Sequence, residues 1–532
     1  MKVFASSLLI ALSSLFSAVL SQDKVVVGYY VPWGKVEPEA LSYSKVTHIN
    51  YGFGVLYKKD DPTSIFIDRY YDGNRIRKLK TLAAAKGVKV LISIGGWTGS
   101  QTFSTVAASP ALRAKFIDNA LVFVRKNTKP DWETNPDGWD LDGIDLDWEY
   151  PGRAAAVCNV FSPNDSANYL ILLKELRAAL DKEFPNDRKL LTAAVRVKPF
   201  DGSDGKPMTD VSAYAQYFDF INIMAYDIMG SWSATTGPNA PYNYDTARGG
   251  DPFSFTQGVD DWLAAGFPAN KLTSGLAFYG RTLTPQVDMS KDPSNQYVKK
   301  DSVTPKGDSS DANDPNFFCN EGTFYSGVYK YKYLRQDILT GGPLSPGNGF
   351  NRYFDNVTQT PWLFSNAQKK FISYDDPQSL KIKVDYAKKK NLRGVMYWDM
   401  AQDFNDELLN VANGIRDGQT NPPVTSTTTQ PPVTTSTQPP VTTTTQPPVT
   451  TTQPPVTTTT KPPVTTTTQP PVTTTTSTVP TGGPCSEGAY QCVNSGKSAD
   501  YQRCVFGKWT NSACGSGTVC KQSGSSIVCD FP

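Results

Sequence analysis

Histidine is nearly absent from this chain: His48 is the only one in 532 residues, which leaves no imidazole set for a transition-metal centre. An excess of charge is missing too. Lys and Arg number 52 against 50 Asp and Glu, a formal charge of +2, which gives no support to nucleic-acid or anionic-membrane binding. Beyond residue 21 no run is long and apolar enough to cross a bilayer, and the polar end Cys529-Asp530-Phe531-Pro532 excludes a lipid-anchor tail of the usual kind. No glycine-rich phosphate loop follows any predicted strand. Cysteine is scarce through most of the chain, with Cys158 and Cys319 alone before Cys485.

What is present begins with an export pattern. Lys2 precedes an apolar run through Leu8, Ile10, Leu12, Leu15 and Phe16, and Val19 and Ser21 are spaced for cleavage before Gln22. This predicts a signal peptide over 1–21 and not a membrane span, because the apolar core is too short. The mature chain is therefore expected to be secreted, extracellular and free to associate with a cell wall, where its cysteines can form disulfides.

From 22 to 418 the sequence has an ordinary globular composition in which short apolar runs alternate with amphipathic stretches. Strands are predicted at Val25 to Tyr30, His48 to Phe53, Val88 to Ile94, Asp142 to Glu149, Leu190 to Val197, Phe218 to Tyr226, Leu272 to Phe278 and Leu392 to Trp398. Helical spacing lies between most of them, as in Ile76-Leu79-Leu82-Ala83 and Asn168 to Leu180. Repeated β-then-α units of this number argue for an α/β fold, a closed (β/α)8 TIM barrel, with a doubly wound open sheet as the alternative. The connection over about 282–368 is too long for a plain barrel loop and predicts a small α+β insertion after strand seven, forming one wall of a cleft. A bridge from Cys158 to Cys319 would tie the loop after strand four to that insertion.

The stretch Asp142-Gly-Ile-Asp145-Leu-Asp147-Trp-Glu149 is the most informative segment. Alternation along a strand puts Asp145, Asp147 and Glu149 on one face and Ile144, Leu146 and Trp148 on the other. Asp142 is out of phase and is expected to brace the strand entrance. With no Lys or Arg in the stretch, crowded carboxyls must perturb one another, which favours keeping one protonated as a general acid requires. Taken alone, the pattern also fits a hard-cation site or a solvated sheet face. Barrel sites lie at the carboxyl ends of strands, and Glu149, Tyr226, Asp227 and Trp398 all fall there, with Met224 in phase with Tyr226. Flat rings beside carboxylic acids suit a sugar.

These motifs resemble family 18 glycoside hydrolases, the chitinases and their relatives. The acid stretch continued by Tyr150-Pro151 is similar to the family signature, Ser93-Ile-Gly95-Gly96-Trp97 to its third-strand motif, and Met224-Ala-Tyr226-Asp227 to its sixth. Phe278-Tyr279-Gly280-Arg281 resembles the seventh motif and Gly394-Val-Met-Tyr-Trp398 the eighth. The resemblance implies a substrate of β-1,4-linked N-acetylglucosamine, chitin or chitooligosaccharide, cleaved with retention through the substrate's own acetamido group. It implies Glu149 as acid and base, Asp147 as the residue holding the acetamido N–H, Asp145 as its proton-sharing neighbour, and Tyr226 as donor to the acetamido oxygen. Trp398 would floor the sugar, and Tyr29, Trp33, Phe53, Trp97, Met224, Asp227, Tyr279 and Arg281 would line the cleft. No metal or cofactor is implied, and a monomer is expected. An endo-acting hydrolase of N-glycan cores and a non-catalytic wall lectin are the alternatives. Ile228-Met229-Gly230 departs from the family pattern of an aromatic and a His, and is expected to alter the rim near Trp232. Asn164-Asp-Ser166 and Asn356-Val-Thr358 are glycosylation sequons.

Over 419–483 the sequence becomes repeats of Pro-Pro-Val, threonine runs and Gln, with almost no charge or large apolar side chain. No core can form, and an extended, O-glycosylated spacer is expected, at about 3 Å per residue when stretched. The segment 484–532 holds Cys485, Cys492, Cys504, Cys514, Cys520 and Cys529, a disulfide scaffold in place of a core. Tyr490, Tyr501, Phe506 and Trp509 exceed what so small a core needs and are candidates for stacking on sugar. The segment resembles family 19 carbohydrate-binding modules, which implies chitin binding, with a protease-inhibitor or adhesion module as the competing reading.

Overall fold

The computed structural model describes residues 23–129, 138–313, 319, 324–417, 490–505, 508–513, 519–523 and 526–530. The predicted signal peptide and the whole of the predicted linker lie outside these residues. The chain divides into two compact units, Met1–Ser426 and Thr427–Pro532.

In the first unit seven parallel strands follow one another: β1 (Val25–Tyr30), β2 (His48–Gly54), β3 (Lys89–Gly95), β4 (Gly143–Asp147), β5 (Leu190–Arg196), β6 (Phe220–Met224) and β7 (Leu272–Ala277). Next come β8 (Tyr279–Leu283), β9 (Val328–Lys330), β10 (Asn351–Asp355), β11 (Thr360–Ser365) and β12 (Lys370–Ser373), and then β13 (Gly394–Trp398), which pairs with both β7 and β1 and closes the barrel. The closed eight-strand parallel barrel answers the choice between barrel and open sheet. Its strands read as apolar runs because both of their faces are covered.

The helix Asp165–Glu183 shows how the outer layer is specified. Tyr169, Leu172, Leu173, Leu176 and Leu180 recur at helical spacing and are all buried. Its Tyr169 ring meets Trp148 edge-on with centroids 5.2 Å apart, and Phe103 stacks on the same tryptophan at 5.2 Å. The outward-facing residues next to β4 are thus gripped by the helical layer while their alternates point inward. Asp142 braces the strand entrance as expected, accepting Lys80 Nζ at 2.5 Å and Val90 N at 2.8 Å.

The insertion is larger than the sequence suggested. Its five-stranded sheet, in the order β10-β11-β12-β8-β9, takes in Tyr279 at one end and Ser373 at the other, not 282–368. The reason is that β8 follows β7 almost without a turn, so one apolar run serves two sheets and only the change of partner marks the boundary. Cys158 and Cys319 are bridged, with Cα atoms 5.6 Å apart.

In the second unit β14 (Tyr490–Cys492), β15 (Asp500–Val505) and β16 (Lys508–Ala513) form one antiparallel sheet, and β17 (Val519–Ser523) pairs with β18 (Ser526–Asp530). Cys492 is bridged to Cys520. Two of the four stacking candidates, Tyr501 and Trp509, do not share a face. Tyr501 lies opposite Ser512, whereas Trp509 lies opposite Cys504, three places along β15, so the two occupy opposite faces of the hairpin. Both are half-buried. Phe506, Cys485 and Cys514 lie outside the described residues, and Tyr490, Cys504 and Cys529 are described as strand positions only.

Candidate active site

The barrel lumen is built by parity. Ser93, Asp145 and Thr192 are successive register partners on β3, β4 and β5, so all three point inward at one level. Thr192 Oγ1 donates to Asp145 Oδ1 at 2.6 Å and Ser93 Oγ to Oδ2 at 2.8 Å. Tyr29 Oη reaches Oδ2 from β1 at 2.8 Å, and Asn222 Nδ2 lies 3.5 Å from Oδ1 on β6. Burial pushes the Asp145 pKa up while these donors pull it down. The Asp145 oxygens are engaged by these neighbours, and its charge also acts on Asp147, the residue with which it was expected to share a proton. Thr192 and Asn222 escaped the sequence reading, although each is a polar residue at an inward phase of an otherwise apolar strand, which is the signal that could have found them.

Asp147 is buried one step nearer the mouth, and its Oδ1 has no hydrogen-bond partner. Burial, then the Glu149 and Asp145 charges, hold its pKa well above the usual carboxylate range. Glu149 lies just past the end of β4 with 8% of its surface exposed. Burial, with the charge of Asp227 adding to it and a hydrogen bond from Tyr150 opposing it, pushes its carboxyl up to about 7. A buried acid flanked by carboxylates therefore keeps a large protonated fraction near neutrality, able to donate a proton and take it back. Ser100, also missed in the sequence, secures this turn: its Oγ accepts Glu149 N–H at 3.1 Å and contacts Asp147 O at 3.0 Å.

Aromatic rings surround the acids. Trp398 stacks on Phe53 with centroids 5.9 Å apart and tilts against Tyr29 at 5.6 Å, while Trp33 meets Phe53 at 6.1 Å. Met224 and Tyr226 pack with this group, as their shared phase suggested. Burial first, then the nearby carboxylates, keeps the Tyr226 hydroxyl protonated by raising its pKa well above 10. Asp227 Oδ1 accepts Tyr279 Oη at 2.7 Å and Arg281 Nε at 3.0 Å, and the Arg281 guanidinium lies 5.0 Å from the Trp232 ring centroid. Trp33, Trp97 and Trp232 remain 56%, 47% and 55% exposed, which large apolar rings do at a binding rim.

Over 228–230, where the sequence departs from the family pattern, two residues are buried and the third lies against the exposed Trp232. Ile228 and Met229 are buried against Tyr297, so they support the loop from beneath. Gly230 is the position that touches Trp232: a Cβ there would lie 2.5 Å from the indole. His48 is buried within the barrel, edge-on to Phe220 at 5.2 Å, and burial lowers its pKa to about 3. Among the described residues no group of three His, Cys, Asp or Glu could hold a metal, and no helix is long and apolar enough to cross a membrane.

Residues 25–403 match the family described as glycosyl hydrolases family 18. A chitinase-like effector of Moniliophthora roreri is 32% identical over 421 residues, covering 76% of this chain and 95% of that protein. The crystal structure of a chitinase from Rhizomucor miehei superposes with a TM-score of 0.63 at 33% identity, covering 74% of this chain and all of that one. A Group IV chitinase of Ostrinia furnacalis, solved in complex with allosamidin, superposes at 0.59 with 29% identity, covering 74% of this chain and 98% of that one.

Proposed function

The chain belongs to glycosyl hydrolase family 18, and on that footing we propose that it is a secreted chitinase cutting β-1,4 bonds between N-acetylglucosamine units by a retaining, substrate-assisted route. The observation that carries this reading is the Glu149 carboxyl, buried at the barrel mouth and pushed up to about 7. In that state it protonates the leaving glycosidic oxygen, and as the carboxylate it then activates water. Family 18 chemistry supplies the nucleophile from the substrate's acetamido oxygen in place of a second enzyme carboxylate. Asp147, with an unpartnered oxygen beside Glu149, holds the acetamido N–H and stabilises the cationic ring intermediate. Tyr226 donates to the acetamido oxygen and aims it at the anomeric carbon. Trp398 floors the reacting sugar, and the exposed rings of Trp33, Trp97 and Trp232 extend the stacking surface along the cleft. The route uses no cofactor.

The decisive experiment is hydrolysis of a defined N-acetylglucosamine hexamer with the new reducing ends followed by NMR. Ends appearing first as the β-anomer are expected; the α-anomer would overturn the mechanism. A second reading, a non-catalytic chitin-binding protein, is favoured by the effector name of the Moniliophthora relative. The intact set Asp145, Asp147 and Glu149 speaks against it, and absence of turnover on soluble chitooligosaccharide would establish it. The third reading, release of N-glycans, is separated by assaying a glycoprotein beside the oligomer. In the proposal 1–21 is removed on export, 419–483 is a glycosylated spacer, and 484–532 binds chitin and supplies local concentration.

A further inference from the structure

We propose that Asn159 is a positioning residue for the catalytic acid, clamping the backbone of Glu149 to the cleft rim at Trp97; this rests on the reading of Glu149 as acid and base. Asn159 Nδ2 donates to Glu149 O and to Trp97 O, each at 2.9 Å. Glu149 needs such a clamp because the β3–β4 ladder ends with Gly95 opposite Asp147, two residues before the acid. Ser100 holds its N–H and Asn159 its carbonyl, so the reacting residue is gripped on both sides by side chains from two different loops. Ser100 also reaches Gly96 O, and Asn159 reaches the next carbonyl, that of Trp97, whose ring is exposed.

Asn159 is itself anchored. Its N–H donates to Ala156 O at 2.9 Å, and the next residue, Val160, donates to Gln101 O at 3.2 Å. The preceding residue, Cys158, is bridged to Cys319, 161 residues further on in the insertion. A single short loop therefore links the acid, the Trp97 rim and the insertion wall. Loss of the amide frees the turn that carries Glu149, and a misplacement on the order of 1 Å is enough to cost about a hundredfold in rate. It also opens the buried carboxyl to water. The groups facing that carboxyl, Asp147 on β4, Asp227 after β6, Tyr226 and Tyr150, are unchanged, so the change in its titration comes from solvation.

The test compares wild type, Asn159→Ala, Asn159→Asp and Asn159→Gln on soluble chitotetraose, with the Glu149 carboxyl titrated by isotope-edited infrared spectroscopy and assigned with Glu149→Gln. Asn159→Ala is expected to lower kcat by about 10- to 100-fold with KM little changed, and to move the Glu149 titration to lower pH. Asn159→Asp, which keeps the shape and lacks the N–H donors, should lower kcat similarly, and Asn159→Gln should restore part of it. Removing both Cys158 and Cys319 should lower kcat in the wild-type background and add little in Asn159→Ala, because both act on one loop. A melting point that falls while kcat and the titration stay at wild-type values would overturn the proposal. Wild-type protein without turnover would instead overturn the chitinase reading, and the titration shift would then decide the role of Asn159.

Discussion

Thr192 Oγ1 lies 2.6 Å from Asp145 Oδ1, a contact between direct register partners on adjacent barrel strands. With Ser93, Tyr29 and Asn222 it makes the innermost acid a fixed, fully engaged base to the column of carboxyls. Thr192→Val keeps the shape and removes one donor to a buried carboxyl. It should cost about 1–3 kcal/mol of stability, measured by denaturant unfolding, and should lower turnover. A variant as stable as wild type would mean the contact contributes nothing.

Glu149→Gln removes the proposed proton donor without changing size. Turnover of soluble chitooligosaccharide should fall by about a hundredfold or more while the far- and near-UV circular dichroism stay unchanged. Near-wild-type turnover would remove Glu149 from its assigned role.

The pH profile follows from the same group. With its carboxyl at about 7, kcat/KM should be lost as pH rises through that value, close to tenfold per unit beyond it. Stability has a definite sign as well. Between the ordinary glutamate value near ~4.3 and the raised value, the native state holds a proton that the unfolded chain releases, so stability declines with rising pH in that window. Glu149→Gln lacks this contribution, and its melting point relative to wild type should rise from pH 4 to pH 8. A constant difference would contradict the buried, raised carboxyl.

Lys383 and Asp375 form a buried ion pair at 2.6 Å, with Lys383 also donating to Ala240 O at 2.6 Å. Lys383→Met strands a buried carboxylate and should destabilise by about 3–5 kcal/mol. Replacing both partners by apolar residues of matching volume should recover much of that loss, as read by thermal unfolding.

Truncation after residue 418 should leave turnover of soluble oligomers intact and lower the rate on solid chitin, because in the proposal the tail supplies proximity and no chemistry. Equal losses on both substrates would contradict the division of labour between the two units.

How far the site could be read in advance depended on which residues carry local signals. The alternation of Asp145, Asp147 and Glu149 against Ile144, Leu146 and Trp148 is a strand property, so the sequence by itself determined which acids face the lumen and which neighbours grip the helices. Eight apolar runs separated by helical spacing determined an α/β fold of barrel-like count, and the pairing of β13 with both β7 and β1 decided against the open sheet. The partners of those acids were another matter. Thr192, Asn222 and Ser100 come from other strands and loops far along the chain, Asn159 from the loop just after the acid, and each is an ordinary polar residue until folding brings it within hydrogen-bonding distance. The boundary of the insertion, the burial of Ile228 and Met229, and the separation of Tyr501 from Trp509 likewise depend on strand partners and packing. Tertiary structure alone decided these, because hydrogen bonding and desolvation act between atoms in space and leave no periodic trace along the chain.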